Sequence, residues 1–133
     1  MRHPALRVFI ENCAAPFTDE VTAMMFQYPQ LYCDISTILH LMPRKYALRH
    51  LRQLVENGLG KRIMFGSDQM IWPEVIPVVI DAIQTADFLT VEQRADIFYN
   101  NAARFLRLSD AEIAAHHGRV RMERLSKTGM GRQ

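Results

Sequence analysis

The chain has 133 residues, of which 49% are apolar and 23% charged, and its formal net charge is +2. That is about one globular domain with enough apolar side chain for a core. The charge is far from the basic balance of a nucleic-acid protein, and no run reaches the ~18 consecutive apolar residues of a membrane span.

The opening segment MRHPALRVFIENC has no apolar stretch followed by a small-residue cleavage site, which reads as a soluble, cytoplasmic chain. Within it, Leu6 to Asn12 is a short, bulky, mostly apolar run, the form expected of a strand buried on both faces. Pro16 and Thr18 punctuate it. Thr18 is placed to cap a helix with Asp19 and Glu20 in its first turn, and Val21, Met24, Met25 and Tyr28 follow at i, i+3, i+4 and i+7. Pro29 ends that helix, and Leu31 to Ser36 (LYCDIS) is the second strand. Cys13 and Cys33 lack the CxxC spacing of a zinc or redox site and read as buried free thiols.

Pro43 suits a helix start, and Ala47, Leu48, Leu51, Leu54 and Val55 make one apolar face before Gly58 stops the helix. RIMFGSD, ending at Asp68, supplies a third strand. The next helix carries Val78, Val79, Ala82 and Ile83 and is expected to begin nearer Pro77 than Pro73, since Pro77 would break a helix already under way. Thr90 with Gln93, and Ser109 with Glu112, are capping boxes for two further helices. Arg119, Arg121, Arg124, Lys127 and Arg132 crowd the C-terminus without interleaved aromatics, which reads as a solvated tail.

Strands alternating with helices, joined by crossovers too long for hairpins, imply parallel pairing and an α/β fold. A closed (β/α)8 barrel typically takes about 250 residues, so three such units amount to roughly half of one. In parallel α/β folds, ligand-handling residues gather at the C-terminal ends of the strands. Those ends carry Asn12 with Cys13, Asp34 with Ser36, and Ser67 with Asp68.

Asp68 beside Gly66-Ser67 is either a turn aspartate, the commoner role at such a spacing, or a carboxylate held on a rigid strand end for a metal or a proton. Asp34 reads as an acceptor for loop backbone. His3 and His40 have no histidine at ligand spacing, His50 falls on the polar side of its helix, and His116 and His117 would diverge by about 100°. No HxH, GxSxG, P-loop or GxGxxG occurs.

YCDIS, GKRIMFGSDQMIWPE and IFYNNAARFLRLS together resemble the closing part of the amidohydrolase-related (amidohydrolase 2) family, from about His3 to Ser109. The resemblance implies a partial metal-dependent TIM barrel: three parallel strand-helix units similar to strands six to eight, plus C-terminal helices. Residues 1–109 would be the barrel portion and 110–133 a helical or frayed basic tail. It implies descent from a hydrolase or nonoxidative decarboxylase acting on a small carboxylated or cyclic substrate. In that frame Asp68 matches the last-strand aspartate that binds a divalent metal (zinc, or manganese) or its activated water, and Trp72 lines the mouth of the pocket.

Asn12 stands where many members carry a histidine. An amide cannot act as a general base near neutral pH but can orient substrate or water. The family's first-strand HxH and fifth-strand histidine have no counterpart here, and one carboxylate cannot hold a catalytic zinc. The isolated chain is therefore expected to be inactive and, with open sheet edges and an uncovered inner face, to be a homo-oligomer or to bind a complementary N-terminal half. The alternative is a non-catalytic remnant acting as an oligomerisation or interaction module.

Overall fold

The computed structural model describes His3 and residues 5–129, with side chains as far as Arg119. Its centre is a three-stranded parallel sheet in the order β1 (Val8–Ile10), β2 (Leu31–Ile35), β3 (Ile63–Phe65). The register is Val8 opposite Leu31 and Cys33 opposite Ile63, so β3 is set two residues further towards the C-terminal edge than β1, with Ile10 opposite Cys33 and Phe65 opposite Ile35. Helices α1 (Thr18–Gln27) and α3 (Arg44–Glu56) are the crossovers, with a short α2 (Ile38–Leu41) ahead of α3 that the sequence pattern does not signal. After β3 come α4 (Ile76–Gln84), α5 (Val91–Ala95), a π-helical turn at Asp96–Asn100, α6 (Asn101–Leu106) and α7 (Asp110–Gly129).

Strand alternation sorts the sheet into two faces. Val8, Ile10, Leu31, Cys33, Ile35, Ile63 and Phe65 face the helices and pack with Val21, Met25, Leu51, Leu54, Val79, Ile83 and Ile97 into one core. Burying one such side chain contributes about 1.5–3 kcal/mol. The opposite face carries Phe9, Tyr32, Asp34 and Met64. It is partly covered from α6: Phe105 packs on Tyr32 and Phe9 with ring centroids 5.1 and 6.2 Å away, and the Arg7 guanidinium lies 5.2 Å from the Phe105 ring. The inner face is thus less bare than the sequence suggests.

Local signals account for most of the helix ends. Gly58 adopts φ +78° after α3, and Leu59 N–H donates to the Leu54 carbonyl, closing a Schellman turn. Pro77 lies in the first turn of α4, after a short 3-10 turn at Pro73–Val75. Both capping boxes form: Gln93 N–H donates to Thr90 Oγ1 at 3.1 Å and Glu112 accepts from Ser109 N–H at 2.8 Å. Arg62 reaches the C-terminus of α1 and donates to the Met25 and Tyr28 carbonyls, which that helix end leaves without intrahelical partners.

Four expectations need correction. β1 is shorter than Leu6–Asn12 and not buried on both faces: Phe9 is 43% exposed, because β1 has one neighbour and the chain leaves it through positive φ at Asn12, Cys13 and Ala14. Thr18 is the first residue of α1 and makes no cap bond, its hydroxyl being engaged by His50, and Met24 and Tyr28 stay largely exposed. Cys13 and Cys33 are joined in a disulfide, both fully buried, because the turn after β1 brings Cys13 over β2. His50 is 3% exposed, facing α1 and not solvent. Of the basic tail, the side chains of Arg121, Arg124, Lys127 and Arg132 lie outside those described.

Candidate functional site

The C-terminal ends of all three strands meet at one edge, and two consecutive residues leaving β2 tie them together. Ser36 Oγ donates to Asn12 Oδ1 at 2.9 Å, and the Thr37 hydroxyl donates to Asp68 Oδ2. Asp34, 7% exposed, accepts the Asn12 backbone N–H at 2.6 Å, the backbone-satisfying role its position suggests. Gly66 follows β3 directly beneath it. A Cβ at Gly66 would fall on Asp34 Oδ2 and lie 3.0 Å from both Asp34 Cγ and Ser36 Cβ, so only glycine leaves room for the carboxylate.

Asn12 is held in the left-handed region (φ 55°), with Cys13 at φ 45° and Ala14 at φ 52°. Three consecutive non-glycine residues in that region cost of order 1–3 kcal/mol each and persist only when surroundings over-determine them. Here the surroundings are Asp34 on Asn12 N–H, the disulfide to Cys33, and His50 on the Cys13 carbonyl at 3.2 Å. A carbonyl only accepts, so His50 Nε2 carries the proton and Nδ1 receives the Thr18 hydroxyl at 2.6 Å.

Burial pushes the His50 imidazole below its ordinary value, against the opposing pull of the Cys13 carbonyl. The unfolded chain therefore takes up a proton first as pH falls. Stability attributable to His50 is fully present above pH ~6.5 and is lost as pH falls from there towards the lowered folded value. Urea midpoints measured from pH 7.5 to 5 are expected to fall in the wild type. A profile unchanged by His50→Leu would remove this assignment.

Asp68 also has positive φ (48°), as a turn residue would, yet its carboxylate bridges to β2 through Thr37. It opens onto a cavity of about 240 Å³ lined by Thr37, His40, Gln69, Met70 and Trp72. Trp72 is 59% exposed at its rim, and Gln69 Nε2 meets His40 Nε2 at 2.8 Å. The structure thus brings Asn12 and Asp68 to the same edge through Ser36 and Thr37, and sets Trp72 beside Asp68. Sequence spacing misses Thr37 and His40, whose relevance depends on α2 folding His40 over the β3 loop.

Among the described residues, no three His, Cys, Asp or Glu side chains stand close enough to share a metal ion. One exposed carboxylate with one nearby imidazole falls short of the three protein ligands a catalytic zinc takes. The residues described here do not fit a complete metal centre.

Residues 1–108 match the family model described as Amidohydrolase. Protein fluG of Emericella nidulans is 23% identical over 147 aligned residues, taking in 97% of this chain and 17% of that protein. Among solved structures, an amidohydrolase from Burkholderia multivorans with bound HEPES superposes with a TM-score of 0.60 at 18% identity, over 81% of this chain and 47% of that one. A crystal form with bound zinc gives 0.54 at 21% identity, over 81% and 46%. The chain spans under half the length of these structures, and the likeness is one of fold: three parallel strand-helix units forming part of a barrel.

Proposed function

Because the chain belongs to the amidohydrolase family, we propose that it is the C-terminal portion of a metal-dependent hydrolase or nonoxidative decarboxylase acting on a small carboxylated or cyclic substrate. The observation that supports this reading best is the meeting of Asn12, Ser36, Thr37 and Asp68 at the C-terminal edge of the sheet, where parallel α/β folds place their chemistry. Residues 1–109 are assigned to the barrel portion, similar to strands six to eight, and 110–133 to an appended basic tail.

Asp68 is assigned as ligand to a divalent metal, zinc or manganese, or as acceptor of a proton. Asn12 orients substrate or water by hydrogen bonds, and Trp72 forms a wall of the pocket mouth. When bound, the metal would supply polarisation of a carbonyl or activation of water. The remaining ligands come from a complementary N-terminal half, a reading supported by coverage of under half of the solved relatives. The isolated chain is cytoplasmic and does not turn over substrate; none of its described helices is long and apolar enough to cross a membrane.

Metal analysis by inductively coupled plasma mass spectrometry, with size-exclusion chromatography and light scattering, tests this. Purified chain is expected to carry well under one metal per chain, and any zinc it takes up on titration to depend on Asp68, being lost in Asp68→Ala. Zinc uptake untouched by Asp68→Ala would overturn the ligand assignment. One tightly held zinc with turnover of a lactone or aryl carboxylate would overturn the incompleteness of the site.

A second reading, a non-catalytic oligomerisation module, is favoured by the apolar group at Leu41, Met70, Ile71 and Trp72, exposed by 68, 92, 71 and 59%. A monodisperse assembly indifferent to chelator would select it.

A further inference from the structure

On the outer surface, away from the strand ends, α3 and the turn after α4 enclose an open groove of about 550 Å³. That volume is within the range of small-molecule sites, about 300–1,000 Å³. Its lining includes Leu48 and Phe88, both partly buried against the core, together with Pro43 and Tyr46. The walls are cross-braced: Arg44 pairs with Asp81 at 3.0 Å and Arg52 with Asp87 at 2.8 Å, fixing α3 against α4 and the turn that carries Phe88. Arg52 also lies 4.6 Å from the Phe88 ring centre.

The cations of this groove are unequal. Arg52 is matched by Asp87, whereas Lys45 and Arg49 have no ion pair among the described residues, and Arg49 rests on the Tyr46 ring at 5.3 Å. An aromatic and aliphatic lining beside one stacked guanidinium and one ammonium, both lacking a carboxylate, is complementary to a ligand with a flat apolar body and one anionic end. We propose that this groove binds an aryl carboxylate, its ring lying over Leu48 and Phe88 and its carboxylate between Lys45 and Arg49. The site is built wholly from this chain and does not depend on the proposed catalytic reading.

The probe is 2-naphthoate, titrated into 15N-labelled protein and followed by amide shifts and calorimetry, with 2-naphthalenemethanol as the uncharged counterpart. The expected result is saturable binding with shifts centred on Leu48, Arg49 and Phe88, at least about tenfold weaker for the alcohol and for Arg49→Glu, as for loss of a charge-assisted hydrogen bond. Lys45→Glu is expected to weaken it in the same direction. Both positions are exposed, and circular dichroism checks that each variant is folded. Equal binding of acid and alcohol, shifts centred on Met70 to Trp72 and indifferent to Arg49→Glu, or self-association through these residues without ligand would each overturn the proposal.

Discussion

Gly66→Ala is expected to destabilise the chain by roughly 2–5 kcal/mol, combining overpacking with the loss of a buried hydrogen bond. The added methyl would coincide with Asp34 Oδ2 and press on Ser36 Cβ; Asp34 belongs to β2, whose backbone is fixed between two neighbours, and Ser36 follows directly on its end. If the carboxylate yields, Asn12 N–H loses its acceptor, and a loop already holding three left-handed residues loses one of its restraints. If Ser36 yields, Asn12 Oδ1 loses its donor. Either way the damage concentrates at the strand-end edge. Gly60→Ala is the matched control, since its Cβ would meet only Val55 methyls at 3.8 Å, and it should stay within about 0.5 kcal/mol. Urea unfolding of the two variants decides the matter: equal midpoints would mean that Asp34 is not wedged against the β3 backbone.

The strand ends were readable because parallel topology needs only the order of elements. Three apolar runs separated by helical periodicity imply parallel strands, and parallel strands bring Asn12, Asp34 and Asp68 to one edge whatever their side chains do. Hydropathy cannot see the connections between them. His50 counts as polar in any helical pattern, yet its partners, Thr18 and the Cys13 carbonyl, lie more than 30 residues upstream and become neighbours only once α1 and α3 pack. The Cys13–Cys33 pairing depends on left-handed backbone at non-glycine residues, which no propensity suggests. Phe105 reads as one more apolar residue of a helix, and only the turn of α6 beneath the sheet places it on Phe9 and Tyr32.

The NNAARF segment that carries the family resemblance turns out to serve β3 and not the site edge. Asn101, fully buried at the start of α6, donates through Nδ2 to the carbonyls of Gly60 at 2.8 Å and Ile63 at 2.5 Å, and its Oδ1 accepts from Arg104. It thereby satisfies backbone where the chain enters β3. The π-helical turn just before it carries Asp96, 1% exposed, which accepts from Lys61 at 2.6 Å, Arg104 at 3.0 Å and Asn100 at 3.2 Å. One side-chain network thus binds α5, α6 and the entry to β3.

Asn101→Ala is therefore expected to cost roughly 2–4 kcal/mol, because two carbonyls lose a donor in a site closed to water and Arg104 loses an acceptor. Asp96 gives the network a pH signature. Burial alone would raise its carboxyl, but the bonds from Lys61, Arg104 and Asn100 outweigh this and hold it below the ordinary carboxylate value. A carboxylate depressed in the folded state binds its proton later than the unfolded chain does, so its stabilisation is complete above pH ~4 and is lost as pH falls through the folded value. Lys61 and Arg104 keep 59 and 42% of their side chains in water, which limits the cost of Asp96→Asn at neutral pH to about 1–3 kcal/mol. Thermal unfolding from pH 6 to 2.5 separates the two variants. Asn101→Ala should retain most of the wild-type loss in acid, while Asp96→Asn should flatten it; a wild-type acid slope in Asp96→Asn would show that the stability lost in acid comes from other carboxylates.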